Sequence, residues 1–382
     1  MNRLRHIASP GLPRGFAGPD EDLSHRLYVV PTGIVSGAAA GAAVTGGAGW
    51  PIAGSGLVFT SCAVLLRDGA HVVESLAAFD EVLDWAAAEG EGVAAHVSRL
   101  IHRIGARRAP IAGLKLDRPL VMGIVNVTPD SFSDGGDTFS AAAAIARGKA
   151  MLEAGAAIID VGGESTRPGA AEVSPAEEAR RILPVVTELA RSGAVVSIDT
   201  RHSTTMAAAI AAGAAIINDV TALTGDPAAH YVAAQSGAAV ILMHMQGEPR
   251  SMQMNPVYDF APLDVYDVLA ERVAACVAAG IAPNRICIDP GIGFGKTVDH
   301  NRSILARLGL YHGLGCPVLL GVSRKSFIAR ISGEADARQR LPGSLAAAQM
   351  GLDQGVQILR VHDVAETRQA VAVWQAIRGE AV

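Results

Sequence analysis

The sequence predicts a (β/α)8 barrel of the TIM-barrel type over residues 114–382, preceded by an N-terminal extension of uncertain fold over residues 1–113. Two observations predict this fold class: strand-length apolar runs alternate with Ala-rich helical patterns, and there are eight such runs. Eight units over roughly 265 residues have the number and the size of a (β/α)8 barrel. An open, doubly wound sheet usually has fewer strands, so we favour the barrel.

A recurring phrase marks five of the eight strands. In each phrase a glycine follows a helical pattern, where a helix C-cap requires a left-handed residue, and an apolar run with a polar end comes next. The five phrases are EAGAAIID, RSGAVVSID, AAGAAIIN, QSGAAVILMH and DQGVQILR, and the three runs without that glycine are VMGIVN, RICID and PVLLGVS. Continuous apolar runs are typical of parallel strands buried on both faces.

Each run leads to a polar residue at its carboxyl end. In a (β/α)8 barrel the active site lies at these ends, so the polar side chains are expected to meet in one pocket. They are Asn126, Asp160, Asp199, Asn218, His244, Asp289, Ser323 and Arg360.

The extension is a small-residue module of unknown function, and the boundary is placed in RRAPIAGLKLDRP. No charged residue occurs from Tyr28 to Leu66, a length that could span a membrane. The stretch nevertheless holds Pro31, Pro51 and eight glycines, and its strongest apolar run, Leu57 to Leu66, is too short to cross. We therefore expect no membrane association.

Composition excludes several classes of protein. The chain is 50% hydrophobic and 18% charged, which is typical of a folded chain and not of a disordered one. With 32 Lys and Arg against 37 Asp and Glu, no basic excess favours nucleic acid. The four cysteines form no CxxC pair, and no apolar segment follows the basic N-terminus, so a reducing, cytoplasmic location is expected.

The last two predicted strands are followed by basic residues. Ser323-Arg324-Lys325-Ser326 follows the seventh strand, and the eighth contributes Arg360 and His362. Phosphate sites of such barrels often lie there, and arginine is suited to bidentate phosphate contacts. These residues predict a phosphate or diphosphate site.

The carboxylate side of the pocket leaves two readings open. Asp199, Asn218 and Asp289 either pair with Lys325 or Arg360 in a structural role, or accept N–H donors from a heterocycle with an amino-amide edge.

The loop DPGIGFGKT is neither a Walker A motif nor a dinucleotide fingerprint. The loops NVTPDSFSDGG and DVGGESTRPGA are predicted to close over a substrate. No zinc-ligand spacing occurs. A hard cation such as Mg2+ would suit a diphosphate held by oxygen ligands, with Asn126 as one ligand. No Ser-His-Asp set occurs, so no covalent intermediate is required.

Eight motifs taken together resemble the dihydropteroate synthase family. They are MGIVNVTPDSFSDGG, DVGGESTRPGA, SIDT, IINDV, LMHMQGEPRSMQ, DPGIGFGKT, GVSRKSFI and ILRVHDV, and they span Val121 to Val364 in the family's order. The resemblance implies an enzyme that condenses a dihydropterin-CH2-diphosphate with p-aminobenzoate to dihydropteroate and diphosphate, with Mg2+, and commonly as a homodimer. Ser344 stands where the family often has threonine.

The resemblance also implies roles at matching positions. The pterin-binding set corresponds to Thr166, Asp199, Asn218, Asp289 and Lys325, and the diphosphate-binding residues correspond to Asn126, Arg360 and His362, with Asn126 also the metal ligand. The surroundings of p-aminobenzoate and the mobile loops correspond to Ser131, Phe132, Arg167, Pro168, Phe294 and Ser326, and catalysis is assigned to Asp199, Lys325, Arg360 and His362. The alternatives are a pterin-dependent methyltransferase barrel and a catalytically silent pterin-binding partner.

Overall fold

The structure is a computed structural model, and it describes residues 4–18, 21–128, 141–164, 173–248 and 251–379. Two sheets organise the chain: a five-stranded sheet before residue 106 and an eight-stranded parallel sheet after residue 119.

The N-terminal module, residues 4–105, is an α/β unit. Its elements are β1 Arg5–Ser9, β2 Leu27–Val35, α1 Gly37–Thr45, β3 Trp50–Pro51, β4 Val58–Asp68, β5 His71–Ala78, α2 Phe79–Ala88 and α3 Glu91–Gly105. The strand order is β1-β5-β4-β2 with β3 beside β4, and only β1 and β5 run parallel. The uncharged stretch from Tyr28 to Leu66 thus forms β2, α1, β3 and most of β4. Over the described ranges, no helix is both long enough and apolar enough to cross a bilayer.

The eight predicted strands all form. They are β6 Leu120–Asn126, β7 Ile158–Gly162, β8 Val196–Asp199, β9 Ile216–Asp219, β10 Ala239–Met243, β11 Ile286–Asp289, β12 Leu319–Leu320 and β13 Ile358–Val361. Every pairing is parallel, in the order β11-β10-β9-β8-β7-β6-β13-β12, and a parallel bridge from Ile288 to Val318 joins the two ends of that order. The strands therefore nearly close into a barrel, as predicted.

Helices follow the strands around the outside. They are α4 Ala141–Glu153, α5 Pro175–Arg191, α6 Ser203–Ala211, α7 Ala229–Ser236, α8 Ala261–Ala278, α9 Val298–Leu305, α10 Ser326–Ser332, α11 Leu341–Leu352 and α12 Val364–Ile377. Short 3-10 helices occur at Pro283–Arg285, Leu308–Leu314 and Ala337–Gln339. The five glycines predicted to end helices all have positive φ, with Gly155 at 96°, Gly193 at 88°, Gly213 at 106°, Gly237 at 72° and Gly355 at 80°. The recurring phrase therefore marked true helix ends.

Two strand ends differ from the prediction by more than one residue. β7 continues to Gly162, so Asp160 lies inside the strand and is fully buried, a position that its hydrogen-bonded partners make tolerable. β12 is only two residues long, so Ser323 lies beyond the strand and not at its last position.

One hydrophobic core runs from the module into the barrel. Residues of β2, β4 and α3 share a buried cluster with residues of α8 and the 3-10 helix Leu308–Leu314. At this junction the rings of Tyr28 and Tyr266 meet edge to face at 5.5 Å, and the Tyr28 hydroxyl donates to Asp267 at 2.9 Å. A second cluster fills the lower barrel and includes Met122, Ile216 and Ile358. The predicted division at residue 114 falls in the connection between α3 and β6, and it stays a prediction.

Candidate active site

Arg360, next to the last residue of β13, links two carboxylates across the mouth of the barrel. Its Nε donates to Asp160 Oδ2 and its Nη2 donates to Asp199 Oδ2, each at 2.6 Å. Asn218 Nδ2 donates to the same Asp160 oxygen at 3.1 Å. Asp160 is therefore an interior counter-ion, whereas the side chains of Asp199 and Arg360 remain 13% and 20% exposed toward the mouth.

Two carboxylates share this one guanidinium, and the arrangement shifts the pKa values of Asp199 and Arg360. Burial raises the pKa of Asp199 to about 7, the nearby Asp160 charge adds to the rise, and Arg360 opposes it. The same two carboxylates raise the pKa of Arg360 above its ordinary value against the effect of its burial. Asp199 is thus only partly ionised near neutral pH, and a cation bound beside it would favour its charged form.

Asp289 and Lys325 form the neighbouring part of the site. Asp289 Oδ1 accepts the Gly291 N–H at 2.7 Å, and burial raises the pKa of this carboxyl. Burial lowers the pKa of Lys325 to about 8, although the Asp289 charge opposes that effect. Between them lies Gly321: a Cβ there would be 3.6 Å from Lys325 Nζ and 3.8 Å from Asp289 Oδ2, so its lack of a side chain keeps this space open.

Lys325 also contacts the loop that follows β11. Its ammonium donates to the carbonyl of Ile292 and lies 4.8 Å from the centre of the Phe294 ring. Phe294 is half-buried at this position, and Ser326, which follows Lys325, is exposed at the start of α10. The structure therefore brings Phe294, Lys325 and Ser326 to one side of the mouth.

His362 and Ser323 connect the ends of the last two strands. Ser323 Oγ accepts the His362 backbone N–H at 3.2 Å and lies 3.0 Å from His362 Nδ1. A hydroxyl can accept the backbone N–H and also donate to Nδ1, and we assign it this donor role, which places the ring proton on Nε2. Burial, with Arg324 and Arg360 nearby, lowers the pKa of His362 to about 3. With this tautomer His362 is a neutral N–H donor and not a cation.

Arg324 takes a structural role. Its Nε donates to Asp363 Oδ2 at 2.9 Å and a second nitrogen pairs with the other Asp363 oxygen. Its backbone is left-handed, with φ of 59°, and its N–H donates to Ser344 Oγ at 2.8 Å. The hydroxyl at position 344 therefore helps hold the turn that aims Lys325 into the site.

One buried residue was missed. Lys296, at the end of DPGIGFGK, is only 3% exposed and bonds His244 Nδ1 at 2.9 Å, the Gly291 carbonyl at 2.9 Å and the Phe294 carbonyl at 3.1 Å. His244, predicted as part of the pocket, is turned toward this lysine. A lysine closing a glycine-rich loop after a strand was the available signal.

The remaining predicted residues are placed as follows. Asn126 ends β6, is half-buried and is in register with Gly162, which pairs with Asp199. Thr166, Arg167, Pro168, Ser131 and Phe132, with the loop Asp130–Gly136, lie outside the described residues. Within the described ranges, no group of three or more His, Cys, Asp and Glu side chains is arranged to hold a metal ion.

Comparison with known proteins gives a consistent result. A sequence profile of the family described as pterin binding enzyme matches residues 122–362. The chain is 49% identical over 267 residues to the dihydropteroate synthase of Neisseria meningitidis serogroup B, covering 69% of this chain and 94% of the relative. It is 48% identical over 264 residues to the dihydropteroate synthase of Escherichia coli K12, covering 69% and 93%.

Solved structures agree. The dihydropteroate synthase of Xanthomonas albilineans with 4-aminobenzoic acid superposes with a TM-score of 0.67 at 47% identity, covering 71% of this chain and 97% of that one. A structure of the same enzyme in complex with 7,8-dihydropteroate gives a TM-score of 0.64 at 44% identity, covering 70% and 97%. The chain therefore belongs to the dihydropteroate synthase family of pterin binding enzymes, and it is a transferase of folate synthesis.

Proposed function

We propose that the cluster at the mouth of the barrel binds a dihydropterin-CH2-diphosphate and p-aminobenzoate and joins them into 7,8-dihydropteroate. The relatives solved with 4-aminobenzoic acid and with 7,8-dihydropteroate support these ligands. The observation that carries the proposal is Arg360 held between Asp160 and Asp199, because it sets one cation against two carboxylates at a half-open site.

The pterin ring would bind on the carboxylate side. A pterin presents adjacent amino and ring N–H donors, which match a carboxylate such as Asp289. Gly321 leaves room beside Asp289 Oδ2, and Lys325 Nζ is near enough to that space to donate to a ring acceptor. Asn218, whose Nδ2 is engaged by Asp160, would offer its amide oxygen. Thr166 is proposed to complete this set.

The diphosphate would bind between Arg360 and His362. Arg360 supplies a positive charge and His362 an Nε2–H donor, both at the end of β13 where such barrels commonly hold phosphate. As the C–O bond between the pterin methylene and the diphosphate breaks, negative charge builds on the leaving group and positive charge spreads into the pterin ring. Asp199, the partly exposed carboxylate of the pair, would stabilise that ring in its ionised form.

Asn126 is the residue proposed to hold Mg2+. This ion usually takes only one or two protein oxygens together with water and substrate phosphates, so a half-buried amide oxygen at the end of β6 fits it without a cluster of carboxylates. When bound, Mg2+ would add positive charge beside the leaving diphosphate.

The aryl amine would then attack the methylene carbon. Its nitrogen forms the new C–N bond after the C–O bond to diphosphate has broken, and the amine proton passes to solvent or diphosphate. Phe294 and Ser326, with Arg167 and Pro168, are proposed to surround the amine, and the loop residues Ser131 and Phe132 to close over it. The reaction is accelerated by positioning the amine against the methylene carbon, and no side-chain nucleophile is used.

Two further features are proposed. Apolar side chains stand exposed on α11 and α12, at Met350 (51%), Val373 (55%) and Ile377 (79%), which supports a homodimer through these helices. All four cysteines are unpaired and buried, which supports a reducing, cytoplasmic location.

A crossed binding experiment tests the site. Calorimetry compares the dihydropterin-CH2-diphosphate with the hydroxymethyl dihydropterin, which lacks the diphosphate. Asp289→Asn is expected to weaken both ligands roughly 10-fold or more, the cost of a lost charged hydrogen bond. His362→Ala is expected to weaken the binding of the dihydropterin-CH2-diphosphate only. Equal effects of both variants on both ligands would contradict the proposed orientation.

A further inference from the structure

Among its contacts with the barrel, the N-terminal module binds a short segment, residues 257–267, at the beginning of α8. The Leu4 N–H donates to the Asp259 carbonyl at 3.3 Å. Arg67, at the end of β4, donates from Nη2 to Asp264 Oδ1 at 2.9 Å and to Asp267 Oδ2 at 2.8 Å. The module thus fixes both the backbone before α8 and the carboxylates of its first two turns.

A stack of side chains strengthens this contact. The His6 ring lies 5.5 Å from the Phe260 ring at an interplanar angle of 19°, and the Arg307 guanidinium lies 5.5 Å from the same ring. Glu74 of β5 accepts from Arg307 at 2.7 Å and also pairs with His6. Phe260 is therefore held by the module together with the barrel.

Asp264 passes this restraint to the backbone of the segment. While one of its oxygens accepts from Arg67, Oδ2 accepts the Asp259 N–H at 2.6 Å and the Phe260 N–H at 3.0 Å. The carboxylate therefore holds the two backbone N–H groups that immediately precede α8. Arg67 restrains this carboxylate, because it binds the other oxygen.

The same segment holds the loop that follows β11. The Tyr258 hydroxyl donates to the Gly295 carbonyl at 2.8 Å, and its ring packs edge to face on His300 at 4.7 Å. Two hydrogen bonds of 2.7 Å join Val257 to the side chain of Gln246. Gly295 is the direct neighbour of Phe294, whose ring lies against Lys325.

We propose that the N-terminal module is a positioning element of the active site, which acts through Arg67, Asp264 and Tyr258 to fix the loop Gly291–Lys296 and the Phe294 ring. The family profile begins at residue 122, and each relative named above covers at most 71% of the chain, so this role belongs to the extension. Its kinetic consequence rests on the proposed function, in which Phe294 contacts the aryl amine.

A matched pair of arginine variants tests this inference. Arg67→Met removes both side-chain contacts to α8. Arg26→Met removes an ion pair to Glu21 and a hydrogen bond from Nε to the Arg67 backbone carbonyl, both wholly within the module, and leaves the Arg67 side chain in place. The two side chains are similarly exposed, at 22% and 27%. Arg67→Met is expected to raise KM for p-aminobenzoate about fivefold, with KM for the pterin diphosphate and kcat changed less than about twofold. Arg67→Lys should restore part of the loss, and Arg26→Met should leave all three constants unchanged.

A double-mutant cycle tests whether the effect travels through Tyr258. Tyr258→Phe removes the hydrogen bond to Gly295 and should raise the same KM, and adding Arg67→Met should then have little further effect. Multiplicative effects would overturn the proposed route, and an unchanged KM in both single variants would overturn the inference.

Hydrogen exchange provides a readout that is independent of substrate. Amides of residues 291–296 should exchange faster in Tyr258→Phe and Arg67→Met than in Arg26→Met, with the β6–β9 strands unchanged. Unchanged protection in this loop would overturn the inference even if Arg67→Met folded poorly, because Tyr258→Phe alone supplies the comparison. If the variants show this exchange pattern but the wild-type chain makes no dihydropteroate, the proposed function is refuted and the positioning role of the module is not.

Discussion

Arg360 determines the charge of the site, because it is the only cation hydrogen-bonded to Asp160 and Asp199 among the described residues. Sequence analysis placed all three residues in the pocket, but it could not say which carboxylate pairs with structure and which faces a ligand. That distinction depends on side-chain direction inside the barrel. Asp160 is fully buried and serves Arg360 and Asn218, whereas Asp199 remains partly exposed.

Asp199→Asn tests the role of the exposed carboxylate. The change removes one negative charge facing the cationic pterin but keeps the size of the side chain, so the fold should persist. Turnover should fall at least about 100-fold, the scale of one lost preorganised electrostatic contact. Steady-state kinetics with circular dichroism as the folding control checks this, and unchanged kcat would refute the role of Asp199.

Lys325 gives the activity its expected alkaline limit. Its pKa is lowered to about 8, so the ammonium is present below that pH and is lost as the pH rises through it. We expect kcat/KM for the pterin diphosphate to decline with an apparent pKa near 8. Lys325→Arg stays charged to much higher pH and should move the decline upward. An identical profile in both proteins would show that another group causes the limit.

At the scale of the elements, the glycine-rich loop after β11 shows what can and what cannot be predicted from the sequence. The motif DPGIGFGK correctly marked a loop at a strand end, and the five glycines before other strands correctly marked helix ends. Sequence did not indicate that Lys296 is buried in the loop and takes His244 as a partner, because the partners lie 52 positions apart. Likewise, the apolar run PVLLGVS did not indicate that β12 is only two residues long.

Gly291→Ala tests the geometry of this loop. Gly291 has φ of 68°, and a Cβ there would lie 1.9 Å from the His244 carbonyl oxygen, a backbone atom that cannot easily move. The free energy of unfolding should fall by more than about 2 kcal/mol. Gly237→Ala is the matched control: its φ is 72° but no atom lies within 4 Å, so only left-handed strain of about 1 kcal/mol is expected. Urea titration of both variants checks this, and equal losses would contradict the close contact.

At the scale of the whole molecule, the barrel followed from counting alternating runs, whereas the fold of the extension did not. The stretch from Tyr28 to Leu66 is uncharged and rich in Gly and Ala, so it offers neither a helical nor a strand period. Its strands form by pairing in the five-stranded sheet and by packing on α8 and the 3-10 helix Leu308–Leu314, long-range contacts that no local pattern encodes.

The shared core predicts that module and barrel unfold together. The three tryptophans allow a direct check, because Trp50 and Trp85 report on the module and Trp374 on α12. Trp374→Phe leaves only the module reporters, and the double variant Trp50→Phe/Trp85→Phe leaves only the barrel reporter. After correction for each variant's stability by circular dichroism, the fluorescence transitions in urea should coincide with the loss of helix. A module that unfolds at clearly lower urea would contradict a continuous core.

The strand-end cluster of this chain is proposed to make dihydropteroate. The most direct test incubates the purified full chain with dihydropterin-CH2-diphosphate and Mg2+, with and without p-aminobenzoate, and measures diphosphate release while mass spectrometry identifies the pterin product. We predict amine-dependent release with dihydropteroate formed in equal amount, and a large loss of both in Asp199→Asn. Bound pterin without any release of diphosphate would contradict the claim and favour a silent pterin-binding protein.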